Sequence, residues 1–376
     1  MKIVIASDSF KGSASSLEVA EFLAAGMKSL KPDLNVLKVP VADGGEGTSE
    51  ALRDTLGAGR VSLEVQDPLG QTIVAEYALA DGLAVIDMAA ASGLSLLRTE
   101  DLDPYTASSY GTGEMILDAV KKGAKEIYLG LGGSATNDGG IGMAQALGVK
   151  ALTATGENIG PGAAGLANLH TLDLSALDAR LAGVQFYAIC DVTNPLSGDN
   201  GASYIYGPQK GARAEDLKDL DRILHRYGEM LEQVAGRKVN DRPGAGAAGG
   251  MGAALVGILN AELKPGIDTV LDLLNFEEQI RGSDLLITGE GKMDESSLSG
   301  KAAVGIARCA KKLALPVFAV VGSSELNSAS VRDKGIDLLL PLMDGSMSLE
   351  TAMAQVGVLL FEAGKKIIRI FESGDY

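Results

Sequence analysis

Residues 129–142 read LGLGGSATNDGGIG, six glycines with Ser134, Thr136, Asn137 and Asp138 among them. An apolar run at 127–131 leads in, and an apolar helical segment at 141–147 leads out. Together they read as a strand, a glycine-rich turn and a helix start. Glycine lets a backbone adopt positive φ and approach a ligand closely. The amides of such a turn, with the helix dipole behind them, favour an anion. The stretch therefore reads as a phosphate cradle, with a tight strand-to-helix turn that binds nothing as the plainer alternative. A strand feeding a helix is the unit of an α/β chain. The fold follows from where that unit recurs.

It recurs at both ends. Residues 3–6 form a short apolar strand followed by the polar loop Ser7-Asp8-Ser9-Phe10-Lys11-Gly12-Ser13. Ser15 and Glu18 have the spacing of a capping box, and the helix they open runs to about Pro32. A second strand at 36–41 precedes Ala42-Asp43-Gly44-Gly45-Glu46-Gly47-Thr48 and another helix. Near the other end, strands at 284–287, 317–321 and 336–340 alternate with helices at 301–313 and 349–371. Between these ends the pattern changes. Strand-like runs at 61–65, 72–79 and 83–88 are joined by short turns, which implies antiparallel pairing. A strand at 184–190, an amphipathic helix at 217–234 and a glycine-rich loop at 242–252 follow, while 150–182 reads as irregular. Two strands or three would not make a stable sheet alone, but five would. The expected fold is α/β: a doubly wound parallel sheet domain formed by both chain ends, residues 1–83 and 284–376, with a second, mixed α/β domain inserted at 84–283.

Composition narrows the function. The 376 residues carry a net charge of −16, which argues against a nucleic-acid surface. No apolar run reaches the length of a membrane span. Residues 1–6 are too short for a signal peptide, and two cysteines in apolar runs suit a reducing, cytoplasmic setting. His170 and His225 stand without companions, which leaves no material for a Ser-His-Asp triad or a histidine zinc site. Ser299-Gly300-Lys301-Ala302 lacks the hydroxyl of a Walker loop. Gly130-x-Gly132-x-x-Ala135 matches a dinucleotide fingerprint only in part. What remains is carboxylates and lysines in loops beside glycine-rich turns, an inventory suited to phosphoryl transfer.

At this point several segments are similar to a known family. They are Ser7-Asp8-Ser9-Phe10-Lys11-Gly12, the 42–48 segment above, GGSATNDGG at 132–140, Cys190-Asp191-Val192-Thr193-Asn194-Pro195-Leu196, Gly207-Pro208-Gln209-Lys210-Gly211-Ala212, GAGAAGG at 244–250 and Thr288-Gly289-Glu290-Gly291. In this order, over nearly the whole chain, they resemble the bacterial glycerate kinase type-1 family. The resemblance implies ATP-dependent phosphorylation of D-glycerate with Mg2+, at the 2-hydroxyl. It leaves a homo-oligomer open.

Roles follow from the chemistry of that substrate. Lys11 is expected to hold the glycerate carboxylate, with Asp8, Ser9 and Glu46 around the substrate. Asp191 and Asp43 compete as general base, Asp191 being preferred because a strand holds it. Glu290 and Asp294 are expected to hold Mg2+, which takes one or two carboxylates beside phosphates. Gly132, Gly133, Ser134 and Asn137, with Gly246, would cradle the phosphates of ATP, and Lys210 would neutralise the transferring group. Phosphorylation at the 3-hydroxyl, an NAD-dependent oxidoreductase of a small hydroxy acid and a non-catalytic anion sensor are the rival readings.

Overall fold

The computed structural model describes residues 1–376 except Asp43, Glu46, Ser296, Gly300, Asp344, Ser346 and Asp375. Its strands in chain order are β1 Lys2–Ile5, β2 Asn35–Lys38, β3 Gly59–Gln66, β4 Thr72–Ala80, β5 Leu83–Asp87, β6 Glu126–Gly130, β7 Lys150–Leu152, β8 Thr171–Asp173, β9 Gln185–Ile189, β10 Glu262–Lys264, β11 Leu285–Met293, β12 Val317–Ser324 and β13 Leu338–Pro341. The chain divides into two compact units, Met1–Asp43 with Ile267–Tyr376, and Gly44–Gly266.

The terminal unit is built on a five-stranded sheet of order β13-β12-β11-β1-β2. Every pairing in it is parallel, and Ile3, Val4 and Ile5 stand opposite Leu285, Leu286 and Ile287. The strands are near-continuous apolar runs because both faces are covered. Ile3, Ile5, Leu285, Ile287, Phe318 and Val320 pack with the helices Ser16–Leu30 and Val356–Ser373. The alternate residues Val4, Leu286, Val317 and Ala319 are equally buried, and the helix Ala302–Lys312 packs against β11 and β12. The doubly wound sheet expected from the two chain ends is present. The capping box also forms: Ser15 Oγ accepts from the Glu18 amide, and Glu18 Oε2 accepts from the Ser15 amide.

The inserted unit carries a six-stranded sheet of order β10-β9-β6-β5-β4-β3. β5, β6, β9 and β10 are parallel, and β3 and β4 add an antiparallel hairpin at one edge. This places β3 and β4 with the insertion, so the units meet at 43/44 and 266/267 where the sequence suggested 83/84 and 283/284. The cause is the tight turn at Asp81 and Gly82, both at positive φ, which folds β4 back onto β5. β5 then pairs parallel to β6 and draws the hairpin with it.

Two further differences are local. The stretch 150–182 holds a small antiparallel pair, β7 with β8, and a helix at Gly162–Ala167. The last helical segment is two helices, Leu349–Ala354 and Val356–Ser373, parted at Gln355. Among the described residues, no helix is long and apolar enough to cross a membrane.

The crossing of the first and last long helices is set by glycine. A Cβ on Gly26 would fall 1.9 Å from the Phe361 carbonyl oxygen, and one on Gly364 would fall 2.3 Å from that of Leu23. Backbone meets backbone there, and neither side can yield. Gly26→Val is expected to lower the unfolding free energy by about 3 kcal/mol, the upper range of overpacking. Urea denaturation followed by circular dichroism measures it, and parental stability would contradict this packing.

Candidate functional site

In the terminal unit, the loop that follows β1 runs beside the second half of β11. The Asp8 amide donates to the Gly289 carbonyl at 3.0 Å, which extends the β1–β11 ladder past the strand. Asp8 Oδ1 accepts from the Ser9 amide at 2.7 Å. Beyond it the chain closes on itself: Phe10 and Ala14 exchange backbone hydrogen bonds, and Phe10 is buried as the anchor. Lys11 is carried outward on this loop and is exposed.

Glu290 stands beside Asp8, within β11 where that strand runs past the end of β1, and is only 9% exposed. Burial pushes its carboxyl up to about 7, with the charges of Asp8 and Asp294 acting the same way and Ser297 and Lys301 opposing. Its Oε1 has no hydrogen-bond partner among the described residues. Asp294 is half-buried, and its amide donates to Ser297 Oγ at 3.2 Å. One cavity of about 550 Å³ is lined by Asp8, Ser9, Lys11, Glu290, Asp294 and Lys301 on its charged side.

The donor set fits Mg2+. It is made of carboxylate oxygens, and one buried oxygen is left for a ligand. Among the described residues no group of three or more His, Cys, Asp or Glu forms a complete metal cage. A hard cation that keeps water and phosphate in its shell does not need one.

In the inserted unit the 129–142 stretch forms a strand, a turn and a helix, with a different wiring from the expected one. Asp138 is fully buried. Its Oδ1 accepts from the Gly140 amide and its Oδ2 from the Gly142 amide, Ser109 Oγ and the Ser109 amide. A carboxylate of the chain thus fills the N-terminus of the helix Ile141–Ala146. The outer turn is the open part of the stretch: Gly132 is half-buried, and Gly133, at φ +75°, is exposed.

Lys210 lies beneath this turn. It is 1% exposed, and its Nζ donates to Ser134 Oγ at 2.9 Å and to the Thr136 carbonyl at 2.6 Å. Desolvation pushes the ammonium down to about 7, with Asp138 pulling it back up. Asn137 Nδ2 donates to Ser203 Oγ at 3.0 Å, while its Oδ1 and Thr136 Oγ1 have no partner among the described residues. Ser134, Asn137 and Lys210 are therefore brought together as the underside of the turn. Gly132 is glycine because a Cβ would fall 2.5 Å from Gly45 Cα. Gly246 is glycine because one would fall 2.2 Å from the Pro195 carbonyl. Gly246 packs against the 194–195 segment, to which its amide donates.

Asp191 follows β9 and is exposed, and its Oδ1 accepts from the Gly266 amide at 2.6 Å. Beside it, burial pushes the Cys190 thiol up to about 11, which makes it a poor nucleophile, as its apolar strand suggested. Asp43 and Glu46 lie outside the described residues. After them in the chain, the Asp87 carboxylate accepts from the Gly47 and Ser49 amides and from Ser49 Oγ. Asp87, Asp138 and Lys301 were not among the site residues expected from the sequence. Asp138, close before a helix start, carried a capping signal; Asp87, at the end of an apolar strand, carried none.

The sequence model described as the Glycerate kinase family matches residues 3–372. The chain is 44% identical to a glycerate kinase of Halalkalibacterium halodurans over 97% of both chains. It is 48% identical to the glycerate 2-kinase of Escherichia coli, over 94% of this chain and 93% of the relative. Among solved structures, a putative glycerate kinase 2 from Salmonella typhimurium superposes with a TM-score of 0.87 at 41% identity, covering 100% of this chain and 99% of that one.

The buried lysine has a pH signature. Its folded value of about 7 lies below the ordinary 10.5, so the unfolded chain holds the extra proton between them. Stability therefore rises with pH through that window, and the cost of the buried charge is fully present below it. Relative to Lys210→Met, the parent should gain about 2 kcal/mol of unfolding free energy from about pH 7 to about pH 9. Denaturant titrations at the two pH values measure it, and parallel slopes would show that the ammonium is not buried.

Proposed function

The chain belongs to the glycerate kinase family, and we propose that it phosphorylates D-glycerate at the 2-hydroxyl, using ATP and Mg2+, in the cytoplasm. Its activity is ATP-dependent phosphotransfer to an alcohol group of glycerate. One observation carries the site assignment: Glu290, buried with an unsatisfied oxygen, shares a cavity with Asp8, Ser9, Lys11, Asp294 and Lys301. Glu290 and Asp294 would hold Mg2+, which when bound neutralises phosphate charge. Lys11 and Lys301 add positive charge at the same end, and phosphoryl transfer depends on such positioned charge rather than on covalent chemistry.

In the inserted unit, the outer turn Gly132-Gly133-Ser134 offers its backbone to an anionic group, with Lys210 holding Ser134 from below and Asn137 beside it in the chain. Asp191 is the candidate base. The Gly266 amide fixes one of its oxygens, so the carboxylate can take the proton of an attacking hydroxyl without first reorganising. The 2-hydroxyl reading is supported by the Escherichia coli relative, which is named a glycerate 2-kinase. The oxidoreductase reading is weakened by Asp138, because a pyrophosphate at that helix N-terminus would meet a carboxylate.

Phosphorus NMR of the product from D-glycerate, ATP and Mg2+ should show 2-phosphoglycerate. The 3-phosphate would overturn the position but not the kinase. Asp191→Asn should lower kcat about 10²-fold or more with little change in KM for glycerate. A raised KM at near-normal kcat would make Asp191 a binding residue. Glu290→Gln should raise the Mg2+ concentration needed for half-maximal rate about tenfold or more, and an unchanged Mg2+ requirement would remove Glu290 from the metal site.

A further inference from the structure

The cavity that holds the carboxylates of the terminal unit has a second half of opposite character. Leu342, Met343, Leu349, Ala352, Met353 and Val356 line it. These side chains have nothing to offer a three-carbon hydroxy acid, whose every carbon bears oxygen. The cavity, at about 550 Å³, also falls in the range that encloses drug-sized ligands. A flat aromatic base is the complement of such a wall, and thioether sulfur makes favourable contacts with aromatic rings.

The geometry points to this wall as the subsite for the adenine base of ATP. The inference rests on the kinase reading and extends it from the phosphates to the nucleoside. Three observations support it. First, apolar and charged residues line one cavity, as a ligand with both a base and phosphates requires, and Lys11 and Lys301 are among the charged ones. Second, the polar loop is packed directly on the wall. A Cβ on Gly12 would fall 3.0 Å from Met353 Cε, so the loop that carries Lys11 lies against the side chain of Met353. Third, Leu349 is 63% exposed at the start of its helix, an apolar side chain left beside an apolar hollow. Ser323, near the end of β12, lines the same cavity and adds a polar residue to it.

Adenosine tests the base subsite without phosphate or metal. Saturation-transfer NMR on the whole chain, with adenosine and no Mg2+, should show transfer to the base protons. Two variants then probe the wall. Leu349→Glu alters an exposed side chain at a helix start, where an acidic residue suits the dipole. Ala352→Phe fills the hollow. Each should abolish the transfer and raise KM for ATP about tenfold or more, with KM for glycerate within about two-fold of the parent. Circular dichroism confirms that each is folded. Absent transfer in the parent, or ATP KM and adenosine transfer unchanged in folded Leu349→Glu and Ala352→Phe, would overturn the inference. So would a rise in KM for glycerate alone, which would give the wall to the acid. Failure of the parent to phosphorylate glycerate would instead sink the kinase reading, and adenosine transfer would still report on the wall.

Discussion

The terminal unit depends on one pairing, β1 against β11. Ile3–Ile5 and Leu285–Ile287 align in parallel, although some 280 residues separate them in the chain. Without it the sheet would be two fragments, each with an unpaired edge. The same register continues for two hydrogen bonds past β1, from the Ala6 amide to Ile287 and from the Asp8 amide to Gly289. That last bond sets Asp8 beside Glu290. Fold and charged site are thus consequences of a single alignment. The cost of closing so long a loop grows only with the logarithm of its length, so it weighs on the rate of folding more than on stability.

Each unit holds a charged side chain that burial shifts toward neutrality. In the terminal unit it is Glu290, a carboxyl raised toward neutrality, and in the inserted unit Lys210, an ammonium lowered toward it. Their surroundings differ in a telling way. Lys210 is wrapped by the chain itself, with Ser134 Oγ and the Thr136 carbonyl as acceptors. Glu290 keeps an oxygen that no described residue satisfies. The first arrangement holds a turn in shape; the second is incomplete until something else arrives. Strongly shifted groups in a cleft mark functional sites, and the state of their partners tells support from chemistry.

Local signals in the sequence carried much of this. The Ser15–Glu18 capping box, the parallel strands at both ends and the loops after them all depend on short-range patterns that a chain displays openly. The errors came where a long-range choice overrode a local one. The hairpin of β3 and β4 looks the same whichever sheet it joins, and only the register of β5 against β6 assigns it. The break at Gln355 interrupts an apolar periodicity that runs straight through it. The glycine-rich turn was legible as a turn, but not the fact that Asp138 fills the helix end behind it. A carboxylate that caps its own helix and one that waits for a ligand are identical letters. The apolar wall from Leu342 to Val356 was equally hidden, because its residues read as ordinary core until a cavity separates them from it.

A last consequence concerns the insertion as a piece of chain. Its two ends, Gly44 and Gly266, lie so close that a Cβ on the first would be 3.4 Å from the Cα of the second. A segment of more than two hundred residues thus leaves and returns through a single gap, at a spot where neither strand of chain has a side chain. Segments whose ends nearly touch behave as cassettes: they can be cut out, bridged by a few residues or traded for another body. The inserted unit has its own core and its own sheet. In genetic terms it is a removable module, and the host around it is a contiguous small domain written in two halves.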